Sequence, residues 1–266
     1  MDRLKGKVAI VTGSTSGIGI GIARCYALEG AKVVICGRRE QKGQEVVESI
    51  TTQGGEAWYH FLDLTDFSTI EKLIEDTAQK YGKIDILVNN AANVGLPDGR
   101  VDELSLEMWD AIFNSDLRGA FYAIKCVLPH MQKNGGGSII NIGSMASCGG
   151  DLGATAYSCA KAGVDMLTSS VALQYGKDNI RCNCVRPGLI VTPQNDAYVS
   201  QELKDIFLSN IEVNRYGCPD DIGHACVYFG SDESAFVTGQ IINVDGGMNS
   251  HAPTVAQFRA AGSRTW

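Results

Sequence analysis

The amino-acid sequence predicts an α/β fold, a single doubly wound parallel sheet with helices on both faces, and two observations carry that prediction. Seven short apolar, β-branched runs read as strands: Lys7–Val11, Lys32–Cys36, Ala57–Phe61, Ile84–Val88, Ser138–Ile142, Ile180–Val185 and Gln240–Val244. Runs of this kind suit strands buried on both faces. Between them lie segments of helical period: Gly17–Glu29, Glu40–Thr51, Thr69–Tyr81, Leu117–Gln132, Thr155–Tyr175 and Asp220–Gly230. Strand–helix alternation along the whole chain implies right-handed crossovers, with ligands at the carboxyl ends of the strands. No Pro/Ser-rich linker, charge block or internal repeat divides residues 1–266, which therefore read as one domain.

Composition narrows the function classes. The chain has 266 residues, 44% of them hydrophobic, enough to fill a sizeable core. Charged residues at 20% and 31 glycines argue against disorder and for many tight turns. Lys+Arg 23 against Asp+Glu 30 gives a net charge of -7 with no basic run, so nucleic acid is not the expected partner. No apolar stretch approaches the ~18 residues that a membrane span requires. Met1–Lys7 leads directly into a strand, leaving no room for a signal-peptide apolar region. The nine cysteines are scattered and mostly sit in apolar segments, which fits reduced, buried thiols and a cytoplasmic protein. No metal is expected: Cys182-x-Cys184 has no second pair at zinc spacing, and His60, His130, His224 and His251 are isolated.

The first strand runs into Thr12-Gly13-Ser14-Thr15-Ser16-Gly17-Ile18-Gly19, which opens a helix. Glycines there permit a tight turn and close backbone approach to a pyrophosphate, whose charge then sits at the helix N-terminus. That makes the sheet Rossmann-like and the domain dinucleotide-binding. The end of the second strand chooses between dinucleotides. An NAD site places Asp or Glu there for the ribose 2′-hydroxyl, whereas this chain reads Cys36-Gly37-Arg38-Arg39. A guanidinium favours a 2′-phosphate, each charge-assisted hydrogen bond contributing roughly 1.5–3 kcal/mol. An arginine pair can also be mere solvated loop, but in the loop that should carry an acid it points to NADP(H).

Tyr157 and Lys161, four residues apart in Thr155–Tyr175, share one helix face, and Ser144 follows the strand Ser138–Ile142 at its carboxyl end. A phenol titrates near about 10, so acid–base work near neutrality needs a neighbour that favours the phenolate, and an ammonium does so. A Tyr and a Lys at this spacing are commonplace on helices; their conjunction with the glycine loop is what points to chemistry. Ile142-Gly143-Ser144-Met145 lacks the second glycine of a nucleophile elbow, which disfavours hydrolysis.

Over residues 4–248 the sequence resembles the short-chain dehydrogenase/reductase family. The matching motifs are Thr12-Gly13-x-x-x-Gly17-Ile18-Gly19, Asn89-Asn90-Ala91-Ala92, Ser144, Tyr157-x-x-x-Lys161, and Arg186-Pro187-Gly188 leading to Thr192. The resemblance implies that Tyr157 is the general acid/base, that Ser144 orients and polarises the substrate oxygen, and that Lys161 binds the nicotinamide ribose while favouring the tyrosinate. It further implies cofactor contacts from Gly13, Thr15, Ser16, Gly17, Ile18, Gly19, Arg38 and Arg39. Asp63 and Leu64 would meet the adenine, Asn90 and Ala91 the ribose, and Pro187, Gly188, Ile190 and Thr192 the carboxamide region. It implies a homotetramer with Leu117–Gln132 and Thr155–Tyr175 at a subunit interface.

Two positions depart from the family pattern. Ala92 replaces a glycine, a small change. Counting from Trp109, the family's catalytic Asn falls on Asp116. An ionised Asp accepts hydrogen bonds but donates none, and its charge would hold the Lys161 ammonium and weaken its push on Tyr157. The expectation is that Asp116 anchors the relay water in place of Asn. Asn114, two residues earlier, is turned to another face.

Substrate choice is expected in Asn93–Arg100, Met145–Gly153, Leu189–Tyr216 and the tail from Asn249. Tyr198, Val199, Leu203, Ile206, Phe207 and Leu208 recur with helical spacing, which suits a lid at about 189–216 or, equally, an interface helix. Ala146, Ser147, Gly149 and Gly150 would leave room for a bulky substrate. Ala172–Tyr175, Asn179–Asn183, Pro187–Ile190 and the tail after Gly247 resemble clostridial hydroxysteroid dehydrogenases acting on bile acids. The expected reaction is hydride transfer between NADP(H) and a steroid-like secondary alcohol or ketone. A small carbonyl, sugar or acyl-carrier substrate, or a binding protein with an impaired relay, are the alternatives.

Overall fold

A computed structural model describes residues 2–92, 95–192, 196 and 199–262. In chain order the elements are β1 (Val8–Thr12), α1 (Gly17–Leu28), β2 (Lys32–Gly37), α2 (Glu40–Thr52), β3 (Glu56–Phe61), α3 (Phe67–Tyr81) and β4 (Ile86–Asn89). There follow α4 (Leu106–Phe113), α5 (Gly119–Lys133), β5 (Gly137–Ile142), α6 (Thr155–Tyr175), β6 (Ile180–Pro187), α7 (Gln201–Asn210), α8 (Pro219–Gly230), β7 (Ile241–Val244) and α9 (Val255–Ala260). The seven strands form one sheet in the order β3-β2-β1-β4-β5-β6-β7. Every pairing is parallel, as in Ile10 beside Val34 and Leu87 beside Ile139.

The apolar strand runs are the cause of the two-sided sheet. All five residues of β1 are buried, and successive side chains point to opposite faces. Ala9 and Val11 pack with Ile22, Tyr26, Val46, Ile222 and Val227 beneath α1, α2 and α8. Ile10 joins Ile70, Leu73, Ile124, Val127 and Val171 beneath α3, α5 and α6. The chain order reverses between β1 and β4, and the crevice opened there at the carboxyl ends is where this topology takes ligands.

The sequence misjudged α4 and α9. Both are short, 8 and 6 residues, so the helical period has too few turns in which to register. The helix expected from Leu117 starts earlier in another form: α4 runs into a π-helical turn, Asn114–Arg118, closed by the Gly119 N–H on the Asn114 carbonyl, and α5 continues from it. The thiols are less uniformly buried than expected. Cys25, Cys36, Cys182, Cys184 and Cys226 are buried, but Cys148, Cys159 and Cys218 are exposed. Burial pushes the Cys182 thiol up to about 12, and Cys184 higher still, which keeps both protonated. Among the described residues no cluster could hold a metal ion, and no helix is long and apolar enough to cross a membrane.

Candidate active site

The dinucleotide end is built on the loop between β1 and α1. Gly13 and Gly17 adopt φ +67° and +55°, the left-handed region that glycine enters without penalty. A methyl group on Gly19 would stand 2.5 Å from the Gly13 carbonyl oxygen, so only a hydrogen fits. Ser16 caps α1 without a side-chain bond, and no acidic residue occupies its first turn. Among the described residues no side chain caps the leading N–H groups of α1, the kind of helix start that an anion such as a pyrophosphate can meet. The chain fits a dinucleotide on that ground.

Asn90 and Ala91 approach this loop from the end of β4. The Thr12 hydroxyl accepts from the Asn90 and Ala91 N–H groups, both at 2.9 Å, and the Asn90 amide donates to the Thr12 carbonyl at 2.8 Å. Asn90 thus spends its amide on tying β4 to the glycine loop. Ser14 and Thr15 are buried beneath the turn. Arg38 and Arg39 stand exposed at the end of β2, and an Arg39 Nη2 lies 3.5 Å from the Thr15 hydroxyl. The Arg39 guanidinium therefore borders the glycine loop, and Arg38 precedes it in the same exposed turn. The Asp63 carboxylate accepts from the N–H and hydroxyl of Thr65, at 3.0 and 2.8 Å, shaping the turn after β3. Leu64 packs toward Gly119.

At the reacting end, Ser144 follows β5 while Tyr157 and Lys161 stand on α6. The Lys161 ammonium is buried and donates to the Ile142 carbonyl at 3.1 Å, two residues before Ser144. It lies 5.5 Å from the centre of the Tyr157 ring. The Ser144 oxygen accepts from the Ala146 N–H at 3.1 Å, which leaves its own proton to donate. Asp116 is buried in the π-helical turn, with the Ser115 hydroxyl 2.6 Å from Oδ1, whereas the Asn114 amide oxygen accepts from Arg118 at the surface. A π turn inserts one extra residue and is a frequent feature of functional sites. Behind these groups, Asp165 of α6 binds Arg186 of β6 at 2.7 Å.

Pro187 ends β6, and Gly188 is pressed against Asp245, where an added methyl would meet the Asp245 Cα at 2.7 Å. Ile190 and Thr192 are buried, with the Thr192 methyl lying over Gly17. Sequence reasoning missed two side chains that hold the site together, Thr12 and Asp98. Asp98, in Pro97-Asp98-Gly99, reads locally as a turn; nothing near it in the chain signals its partners, 58 and 59 residues away. Asn93 and Tyr198, expected at the substrate side, fall outside the described residues.

Residues 13–249 match the family model described as enoyl-(acyl carrier protein) reductase. The chain is 40% identical over 260 residues to a 7α-hydroxysteroid dehydrogenase of Clostridium sardiniense, covering 97% of this chain and 99% of the relative. It belongs to the short-chain dehydrogenase/reductase family. As a member of that family it is an oxidoreductase that binds a nicotinamide cofactor. Another relative in the family is a 3-oxoacyl-[acyl-carrier-protein] reductase of Thermotoga maritima, 37% identical over 246 residues, 92% of this chain and 99% of that one. A solved family structure, a 7α-hydroxysteroid dehydrogenase with NADH and 7-oxo glycochenodeoxycholic acid, superposes with a TM-score of 0.88 at 34% identity. It covers 92% of this chain and 95% of its own.

Proposed function

We propose that this short-chain dehydrogenase/reductase transfers hydride between NADP(H) and a steroid-like secondary alcohol or ketone of the bile-acid class. The observation that carries the reading is the buried Lys161 ammonium, which sits beside the Tyr157 ring and bonds the Ile142 carbonyl two residues before Ser144. When bound, the nicotinamide accepts or gives the hydride. Lys161 is held by the Ile142 carbonyl with its ammonium 5.5 Å from the centre of the Tyr157 ring, which fixes a donor cation beside the phenol. Tyr157 takes the hydroxyl proton in oxidation or returns one to the carbonyl oxygen in reduction, and Ser144 donates to that same oxygen. Asp116 holds the water that passes the proton onward from Lys161, its carboxylate serving as acceptor. Replacing it with Asn is expected to alter turnover and its pH profile; an unchanged profile removes Asp116 from the relay.

NADP(H) is preferred over NAD(H) because arginines stand where an acid would be needed. A steroid-like substrate is supported by the likeness to 7α-hydroxysteroid dehydrogenases and by the loop after Ser144. Methyl groups added at Gly149 and Gly150 would meet no atom within 4 Å, so that wall stands open. The 189–216 segment is the substrate lid: α7 presents Leu203 and Ile206, 43% and 55% exposed. The enzyme works in the cytoplasm as a homotetramer, with Phe121 of α5 and Met166 and Leu173 of α6 exposed as apolar contacts for a partner subunit. The acyl-carrier reductase relative favours a second reading, a 3-oxoacyl thioester substrate.

The test is the absorbance of reduced nicotinamide formed from NADP⁺ and, separately, NAD⁺ against hydroxysteroids, sugars and simple secondary alcohols, with a 3-oxoacyl thioester assayed in reduction. Rapid turnover of one hydroxysteroid class with NADP⁺ is expected. Turnover of the thioester alone replaces the steroid reading with the second one.

A further inference from the structure

We propose that Asp98 is a positioning residue for Tyr157, docking the segment 96–104 onto the first turn of the helix that carries it. The inference rests on the acid/base reading of Tyr157 given above. Helix α6 starts without a cap of its own: Ala154 precedes it and offers no side-chain bond. Its leading N–H groups are orphans that need an acceptor. Asp98 supplies one from a distant loop. Its Oδ2 accepts from the Tyr157 N–H at 2.8 Å, and its Oδ1 from the Ala156 N–H at 3.2 Å and the Gly99 N–H at 2.8 Å. A carboxylate also suits the positive end of a helix, and hydrogen bonds to it are stronger than neutral ones.

Two further ties act at the same joint. The Thr155 hydroxyl donates to the Gly99 carbonyl at 2.7 Å. Leu96 and Leu104 pack with Ala156, Ala160 and Tyr157 in one apolar cluster. Residues 96–104 are therefore tied to the first turns of α6 by three hydrogen bonds and an apolar contact. Since 93–100 is the segment expected to choose the substrate, Asp98 would relate that choice to the placing of the phenol. Orientation errors of about 1 Å at a reacting group can lower a rate on the order of 10²-fold.

The experiment compares wild type with Asp98→Ala and Asp98→Asn by steady-state kinetics, thermal unfolding, and amide hydrogen exchange of the first turn of α6. Asp98→Ala is expected to lower kcat at least tenfold while KM for the cofactor stays within twofold, and to lose protection at the Ala156 and Tyr157 amides. Asn keeps one acceptor oxygen and should recover kcat to within threefold of wild type. A mere cap would lower the unfolding temperature and leave kcat and KM of the folded enzyme alone, and that result overturns the proposal. If Asp98→Ala does not fold, Thr155→Val severs the second tie; it should lower kcat at least threefold with the cofactor KM unchanged, and wild-type kinetics overturn the idea. A wild type silent on every substrate counts against the hydride-transfer reading instead. Exchange at the two amides then decides the docking: undiminished protection in Asp98→Ala overturns it.

Discussion

The two ends of the active crevice are built by different means. At the cofactor end the work is done by backbone: β1 is buried throughout, Gly13 and Gly17 turn through positive φ, and the close contacts at Gly19 exclude any side chain. The segments expected at the substrate end instead present exposed side chains, with Leu152 at 95% exposure after β5 and Leu203 and Ile206 on α7. Backbone geometry is set by a few residue types at fixed offsets, so the cofactor end is shared across a family. Exposed side chains can change without unfolding the sheet, so the substrate end can differ between a steroid dehydrogenase and an acyl-carrier reductase on the same frame.

The largest effect should come where the two ends meet. Tyr157→Phe removes the transferable proton and is expected to lower kcat by about 10²–10⁴-fold while cofactor affinity, by fluorescence titration, stays within about twofold. An equal loss of cofactor binding would make Tyr157 part of the cofactor end. Next in size, Gly19→Ala drives a methyl to 2.5 Å from the Gly13 carbonyl oxygen. It should weaken dinucleotide binding by roughly tenfold or more and lower stability by about 1–3 kcal/mol, read by titration and urea unfolding. A bulky residue at the exposed Leu152 should leave both unchanged, which sharpens the contrast.

Arg38→Ala should raise the Kd for NADP by about tenfold, the value of one charge-assisted hydrogen bond, and leave that for NAD unchanged. Retained NADP preference would assign the choice to other residues. The smallest effect is a pH dependence remote from catalysis. Asp221 accepts from both branches of Arg215, each at 2.7 Å, and from the Cys218 N–H at 2.8 Å, and the guanidinium holds its carboxyl well below the usual carboxylate range. Because the folded value is depressed, this stabilisation is present above the unfolded value near ~3.9 and is lost as pH falls through the folded one. Urea midpoints should thus fall below about pH 4 in wild type and fall less steeply in Asp221→Asn.

Legibility followed the same division. Strands β1, β2 and β5 lie within a residue of the expected bounds because each centres on a short buried run rich in Val and Ile. The glycine loop and the Tyr157–Lys161 pair were legible because turn chemistry and helix spacing are local. Helix α4 was not, since its 8 residues give the period few turns to register, and the π turn at Asp116 leaves no local mark in residue type or spacing. Nor did Asn90 announce that its amide would be committed to the Thr12 carbonyl, a bond spanning 78 residues.

The sequence by itself determined the α/β frame, the glycine turn after β1 and the placing of Tyr157 and Lys161 on one helix, because these depend on hydrophobic period, glycine and spacing within one element. Tertiary structure alone decided that Asp98 caps the helix of Tyr157, that Lys161 is fixed by the Ile142 carbonyl, and that Thr192 lies over Gly17. Each of those contacts joins residues that the chain separates and only the packed sheet brings within hydrogen-bond or van der Waals reach.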